Sequence, residues 1–395
     1  MNNENFTVNY EHKKLHGSVT RIGFFLLITG LLIVIAGALV DQTRNAYSNL
    51  ITFMFLSSIG IGSLFLVILE YIAGAVWSTP MRRVSEFFAF SIPFLVLFGL
   101  PLFFNLHDLF HWTHTDAVAA DKVLKGKSPY LNETFFIIRF VFFFAIWTAF
   151  YFFIKRNSEK QDKTKDQSLT RWNIRISGFF IPVFAITLSF FAIDWLMSLE
   201  PHWFSTIFGV YYFSGTMLAA LASGTFVIVL LHEKGYFSNL LRPDHFYSMG
   251  ALMFAFINFW AYIAFSQFLL IWYANIPEET FWMISRWQNG WEYVSFAMIV
   301  VHFLVPYVGL LSQSSKMDTK RLKVMSLWIL FAHYLDIFWL VMPSHYKSFS
   351  FSWIEFGFPL HGIGLLILVF TWKFNRTNLI PIGDPKLKRG LDFHL

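Results

Sequence analysis

Ten stretches of this chain are apolar over enough length to cross about 30 Å of hydrocarbon. They lie near residues 22–40, 49–72, 86–106, 134–154, 174–199, 206–231, 246–271, 291–311, 323–342 and 353–372. The pattern predicts an all-α polytopic membrane protein with ten transmembrane helices, and an even number of crossings places both termini on one side. Residues 1–395 then form a single integral membrane domain. The longest polar segments are an N-terminal segment over 1–21, a loop over 107–132, a charged linker over 155–173 and a tail over 373–395. The first run is too long for a secretory h-region, despite the small residues Ala36, Gly37 and Ala38, so a retained helix is expected. No internal repeat is evident in the sequence.

The junctions carry further signals. In SLEPHWFSTIFGVYYFSG, from Ser198 to Gly215, Glu200, Pro201 and His202 stop one run just before the next begins. That predicts a tight helical hairpin at a membrane surface, with Trp203, Tyr211 and Tyr212 near lipid headgroups. In IPEETFWMISRWQNG, Pro277 suits a first helical position, Glu278 and Glu279 suit a helix N-terminus, and Gly290 suits an end, predicting a short interfacial helix. Pro93, Pro101, Pro182 and Pro306 lie inside spans; Pro306 frees the carbonyl of His302. Either kinks or a hydrated polar interior would follow.

Of the 30 Lys and Arg residues, 23 fall on the side that includes the N-terminus and tail and six on the other, with Arg139 inside the fourth run. The first side is therefore expected to be cytoplasmic. The formal charge of +6 follows these loops and does not point to nucleic acid. With no Cys, the chain cannot ligate an iron–sulfur cluster through thiolates, attach a c-type haem or form a disulfide.

Ionisable residues inside apolar runs are costly and mark candidate sites. They are Glu70, Arg139, Asp194, His302, His333, Asp336 and His361. His333 and Asp336, spaced i,i+3, share one helix face, where a carboxylate beside an imidazole can relay protons or bind a quinone; an interhelical brace is the alternative. Asp194 reads as a proton-path acid or a neutral acid bonded to a neighbouring helix. Glu70 could snorkel toward an interface, Arg139 could reach an interface or an acid, and Glu292 and Glu355 read as ordinary interfacial acids. His107, His111 and His114 would align on a helix in metal-like spacing, but solvated histidines often bind nothing, and no metal site is assigned.

The motifs SLEPHWFSTIFGVYYFSG, WYANIPEETFWMISRWQNGWEY and HYLDIFWLVMP, kept in order along nearly the whole chain, resemble one family. It is the ActF membrane subunit of bacterial alternative complex III, a quinol:cytochrome c oxidoreductase, related to the NrfD and polysulfide-reductase membrane subunits. The resemblance implies two four-helix bundles plus additional helices in a bacterial inner membrane. It implies as partners a homologous NrfD-like membrane subunit, a multihaem cytochrome c, an iron–sulfur subunit and small membrane subunits, with quinone or menaquinol as a further ligand. The haems and iron–sulfur clusters would belong to those partners. A secondary transporter using the same acids, and a structural anchor without its own site, are the alternative functions.

Overall fold

A computed structural model describes residues 10–395; residues 1–9 of the N-terminal segment lie outside the described part. Among the described residues there are ten helical spans: α1 Gly17–Val40, α2 Gln42–Ala73, α3 Thr79–Phe103, α4 Glu133–Thr164, α5 Ser168–Leu199, α6 Phe208–Glu233, α7 Pro243–Ala274, α8 Trp291–Gly309, α9 Thr319–Ser344 and α10 Trp353–Phe374. Their length and hydropathy suit a multi-pass membrane protein, as the apolar runs predict.

The spans form two four-helix bundles and a flanking pair. α2–α5 close one bundle, each helix packing on the next and α5 on α2; α6–α9 close a second in the same way. α2 packs against α6 and α9 at the seam, and α2 and α6 are the most buried spans, at 89 % and 83 % of their apolar windows. α1 and α10 pair along their length because glycines remove the side chains between them: a Cβ on Gly30 would lie 2.2 Å from the His361 backbone nitrogen. The equivalence of the bundles was not evident from sequence. It places Asp194 of α5 and Asp336 of α9 on corresponding helices, each seven residues before a proline, Pro201 or Pro343.

Several junctions differ from the sequence expectation. The charged segment after residue 155 is not a linker, because α4 runs on through its helix-forming Lys, Glu and Gln residues to Thr164; Lys165, at φ 55°, makes the turn into α5. The interfacial helix covers only Pro277–Ile284, and Gly290, at φ 93°, begins α8 instead of ending that helix. Trp203, Tyr211 and Tyr212 are buried, with the Tyr212 hydroxyl donating to the Met54 carbonyl at 2.8 Å. Arg82 and Arg83 are buried as well, held by Glu70, Glu86, Asp162 and Asp384 in one ion network. We call the end containing this network the basic end, and the end containing the α5–α6 turn the far end.

Candidate functional site

α8 and α9 bring three ionisable side chains together deep in the second bundle. Potential donor atoms of His302, His333 and Asp336 lie within 4.8 Å of one another, and all three residues are buried. His302 is presented by a π-helical turn over Ile299–Leu304, directly before Pro306. Proline supplies no N–H to the His302 carbonyl, so the turn widens where the imidazole is needed. On α9, the i,i+3 spacing puts His333 and Asp336 on the inward face, as the sequence indicates.

Each oxygen of Asp336 accepts one hydrogen bond, from the Tyr211 hydroxyl at 2.5 Å and from Trp260 Nε1 at 3.1 Å. These partners are neutral. Trp260 also stacks on His302, with ring centroids 3.7 Å apart. His333 Nε2 lies 3.0 Å from Ser58 Oγ on α2, while His333 Nδ1 and both nitrogens of His302 have no hydrogen-bond partner. Gly215 leaves the room for His333: a Cβ there would fall 2.5 Å from its Cε1. The spacing of the three groups would admit a small cation, but the two donors on Asp336 and the packed rings suit exchange of a proton better. Trp260 lies against Asp336, and the α6 backbone at Gly215 lies against His333.

A stripe of polar side chains runs from this group toward the far end. Asn45, Ser48, Asn49 and Thr52 repeat at helical spacing on α2, and their buried side-chain oxygens have no hydrogen-bond partner. The Tyr334 hydroxyl, adjacent in sequence to His333, is likewise unpartnered. Buried polar atoms of this kind are the positions at which ordered water completes a hydrogen-bond network. Toward the basic end α2 is closed differently. A Cβ on Gly62 would lie 2.6 Å from the Thr216 carbonyl, so the backbones of α2 and α6 are in close approach between the histidines and Glu70.

The other sequence candidates are placed elsewhere. Asp194 is clasped by Arg139, from Nε at 2.8 Å and Nη2 at 3.0 Å, and accepts the Tyr130 hydroxyl at 2.8 Å. Arg139 Nη1 also donates to the Tyr130 carbonyl. This is a fixed ion pair in the first bundle, and it sits on the helix corresponding to that of Asp336. Glu70 accepts from Arg82 at 2.9 Å within the basic-end network, so it does not snorkel. It also lines an apolar cavity of about 250 Å³ with Arg82 and Thr225. His361 is tied to the Leu27 carbonyl at 2.9 Å, bracing α1 against α10. Glu355 is no ordinary interfacial acid, since it is buried against Arg44 at 2.6 Å; Glu292 accepts the Gly290 N–H.

The predicted His107–His114 helix breaks. Leu106–Leu109 and His111–Thr113 are separate turns, and His107 and His114 engage Thr113 and the His107 carbonyl respectively. The rest of the 107–132 loop docks on the α5–α6 turn through Lys127 to the Pro201 carbonyl and Asp121 to His202 at 2.6 Å. The hydrogen bond from His202 holds the Asp121 carboxyl below its ordinary range.

Tyr211, Trp260, Ser58 and the α2 stripe escaped the sequence reading. The stripe was the detectable part, because polar residues at i, i+3, i+4 and i+7 in an apolar helix define a face. No protein-family model matches the sequence, and no curated protein matches it.

Proposed function

We propose that this chain is a proton-handling membrane subunit of a quinol-oxidising respiratory complex of the alternative complex III class. In this reading His302, His333 and Asp336 exchange protons with the far side of the membrane. The observation that carries it is the group itself: three imidazole nitrogens without partners beside a carboxylate whose hydrogen-bond donors are neutral. Groups so placed can trade one proton among themselves at short range, whereas the Asp194–Arg139 pair holds its charges fixed.

Protons leave by the water-accepting face of α2, from Ser58 past Thr52, Asn49 and Ser48 to Asn45. The excess of basic residues at the opposite end makes the far side the outer side. The electron carriers reside in partner subunits, which accords with a chain that has no thiolate ligand to offer. Membership of that complex rests on the resemblance of the three long motifs.

Asp336→Asn tests the reading, since it keeps the shape and removes the titratable oxygen. In the reconstituted complex this variant is expected to assemble while proton release during quinol oxidation falls. Unchanged turnover and unchanged proton release would refute the proton role and leave a structural anchor. Ion-coupled solute uptake by the isolated chain would establish the transporter instead.

A further inference from the structure

Where α4 and α10 leave the apolar layer at the basic end, they bound an open cavity of about 680 Å³. α4 supplies one wall. Its apolar run stops at Ile154 while the helix continues to Thr164, so its last turns stand beyond the lipid tails. Phe153, Arg156, Lys160 and Lys163 follow at steps of three and four residues and are all exposed. They form one outward stripe that turns from apolar to cationic at the level of the headgroups. Trp372 and Arg376 repeat the change on the other wall, four residues apart across the end of α10, with the guanidinium 4.1 Å from the exposed indole.

Two acids also line the cavity, and both are engaged by other groups. Glu159 binds Lys155 at 3.0 Å, and it also takes Lys373 and, at 3.2 Å, the Thr377 hydroxyl. Asp162 accepts Arg83 at 2.7 Å and the Gly383 N–H at 3.2 Å. The lining therefore carries five cations against two acids. Among the described residues, no carboxylate is in ion-pair contact with Arg156, Lys160, Lys163 or Arg376; Asp166 acts on Lys160 only through space. The bonds of the acids also fix the walls. Glu159 ties α4 to the end of α10, and a Cβ on Gly383 would fall 2.0 Å from the Gln161 carbonyl, so the tail backbone closes a third side.

We propose that this cavity binds the headgroup of an anionic phospholipid, its phosphate held by Arg156, Lys160, Lys163 and Arg376 and its acyl chains lying along Phe153 and Trp372. A phosphate is also what a free anion would offer, but the apolar stripes that run directly into the cationic rim favour the lipid. A zwitterionic headgroup would set its own cation beside four others, so the site selects a lipid of net negative charge.

The test uses the full chain in mixed micelles holding dioleoyl-phosphatidylglycerol and dioleoyl-phosphatidylcholine in equal amounts, with retained lipid counted by native mass spectrometry. Wild type is expected to keep one phosphatidylglycerol in preference to phosphatidylcholine. Arg156→Gln with Lys163→Gln should weaken retention about thirtyfold, the effect of two cations at an anionic lipid surface. Lys160→Gln with Arg376→Gln, a second pair that samples both walls, should do the same. Arg171→Gln with Arg175→Gln removes the same charge from exposed positions of α5 at the same end but outside the cavity, and it should retain the lipid as wild type does. Retention unchanged in both cavity pairs, equal loss in the α5 pair, or equal retention of phosphatidylcholine overturns the site. So does displacement of the lipid by glycerol 1-phosphate or inorganic phosphate at the lipid's own concentration, which would make the occupant a free phosphate.

Discussion

Removing the acid of the Arg139–Asp194 clasp should cost stability rather than proton transfer. Arg139 makes a two-pronged contact to the carboxylate and lies 3.8 Å from the Tyr130 ring and 4.4 Å from that of Phe135. Both charged side chains are buried, so Asp194→Asn leaves a guanidinium without its counter-ion in a low-dielectric site. Breaking such a pair from one side costs about 3–5 kcal/mol, which lowers the folding equilibrium roughly a hundred- to several-thousandfold. Replacing both members, as in Arg139→Met with Asp194→Leu, should cost less than either single change, because no uncompensated charge remains. Reversible unfolding in mixed micelles, followed by tryptophan emission, measures this; Trp195 is buried next to the clasp. The folded fraction of Asp194→Asn should still move protons normally. An Asp194→Asn protein as stable as wild type, or a double variant whose loss equals the sum of the singles, would refute the argument. A stable Asp194→Asn protein with no proton release would make Asp194 part of the path.

Gly215→Ala should displace His333, because the new methyl falls 2.5 Å from its Cε1; a loss of about 1–3 kcal/mol together with impaired proton release is expected, and proton release equal to wild type would contradict the placement. Thr52→Val with Asn49→Leu removes two water-accepting positions from α2 with little change in volume, so proton release should slow severalfold while unfolding midpoints stay near wild type.

The spans were legible because lipid imposes a length and an apolar composition on each crossing, and those constraints are local. Partners were less legible, because they depend on which helices meet. Asp194 and Asp336 look alike in sequence, each an acid in an apolar run before a proline. Only the packing of α4 on α5 gives Asp194 an arginine, while that of α6 and α7 on α9 gives Asp336 a tyrosine and a tryptophan. Trp203 and Tyr211 were assigned to the headgroup region because rings with polar tips favour it. Trp203 is buried because Trp282 of the Pro277–Ile284 helix stacks on it, and Tyr211 because α6 turns it into the second bundle against Asp336 and Trp260. Pro306 was the most informative single residue away from the acids, since the carbonyl it frees belongs to His302, and the backbone does widen there.

The central claim is that Asp336 exchanges a proton within a group in which three imidazole nitrogens have no hydrogen-bond partner. Infrared difference spectra of the reconstituted protein across a pH step report protonated buried carboxyls directly, through their C=O stretch. The account predicts a carboxyl band that changes with pH in wild type and in Asp194→Asn but is absent from Asp336→Asn. A band unaffected by Asp336→Asn, or one lost in Asp194→Asn instead, would contradict it.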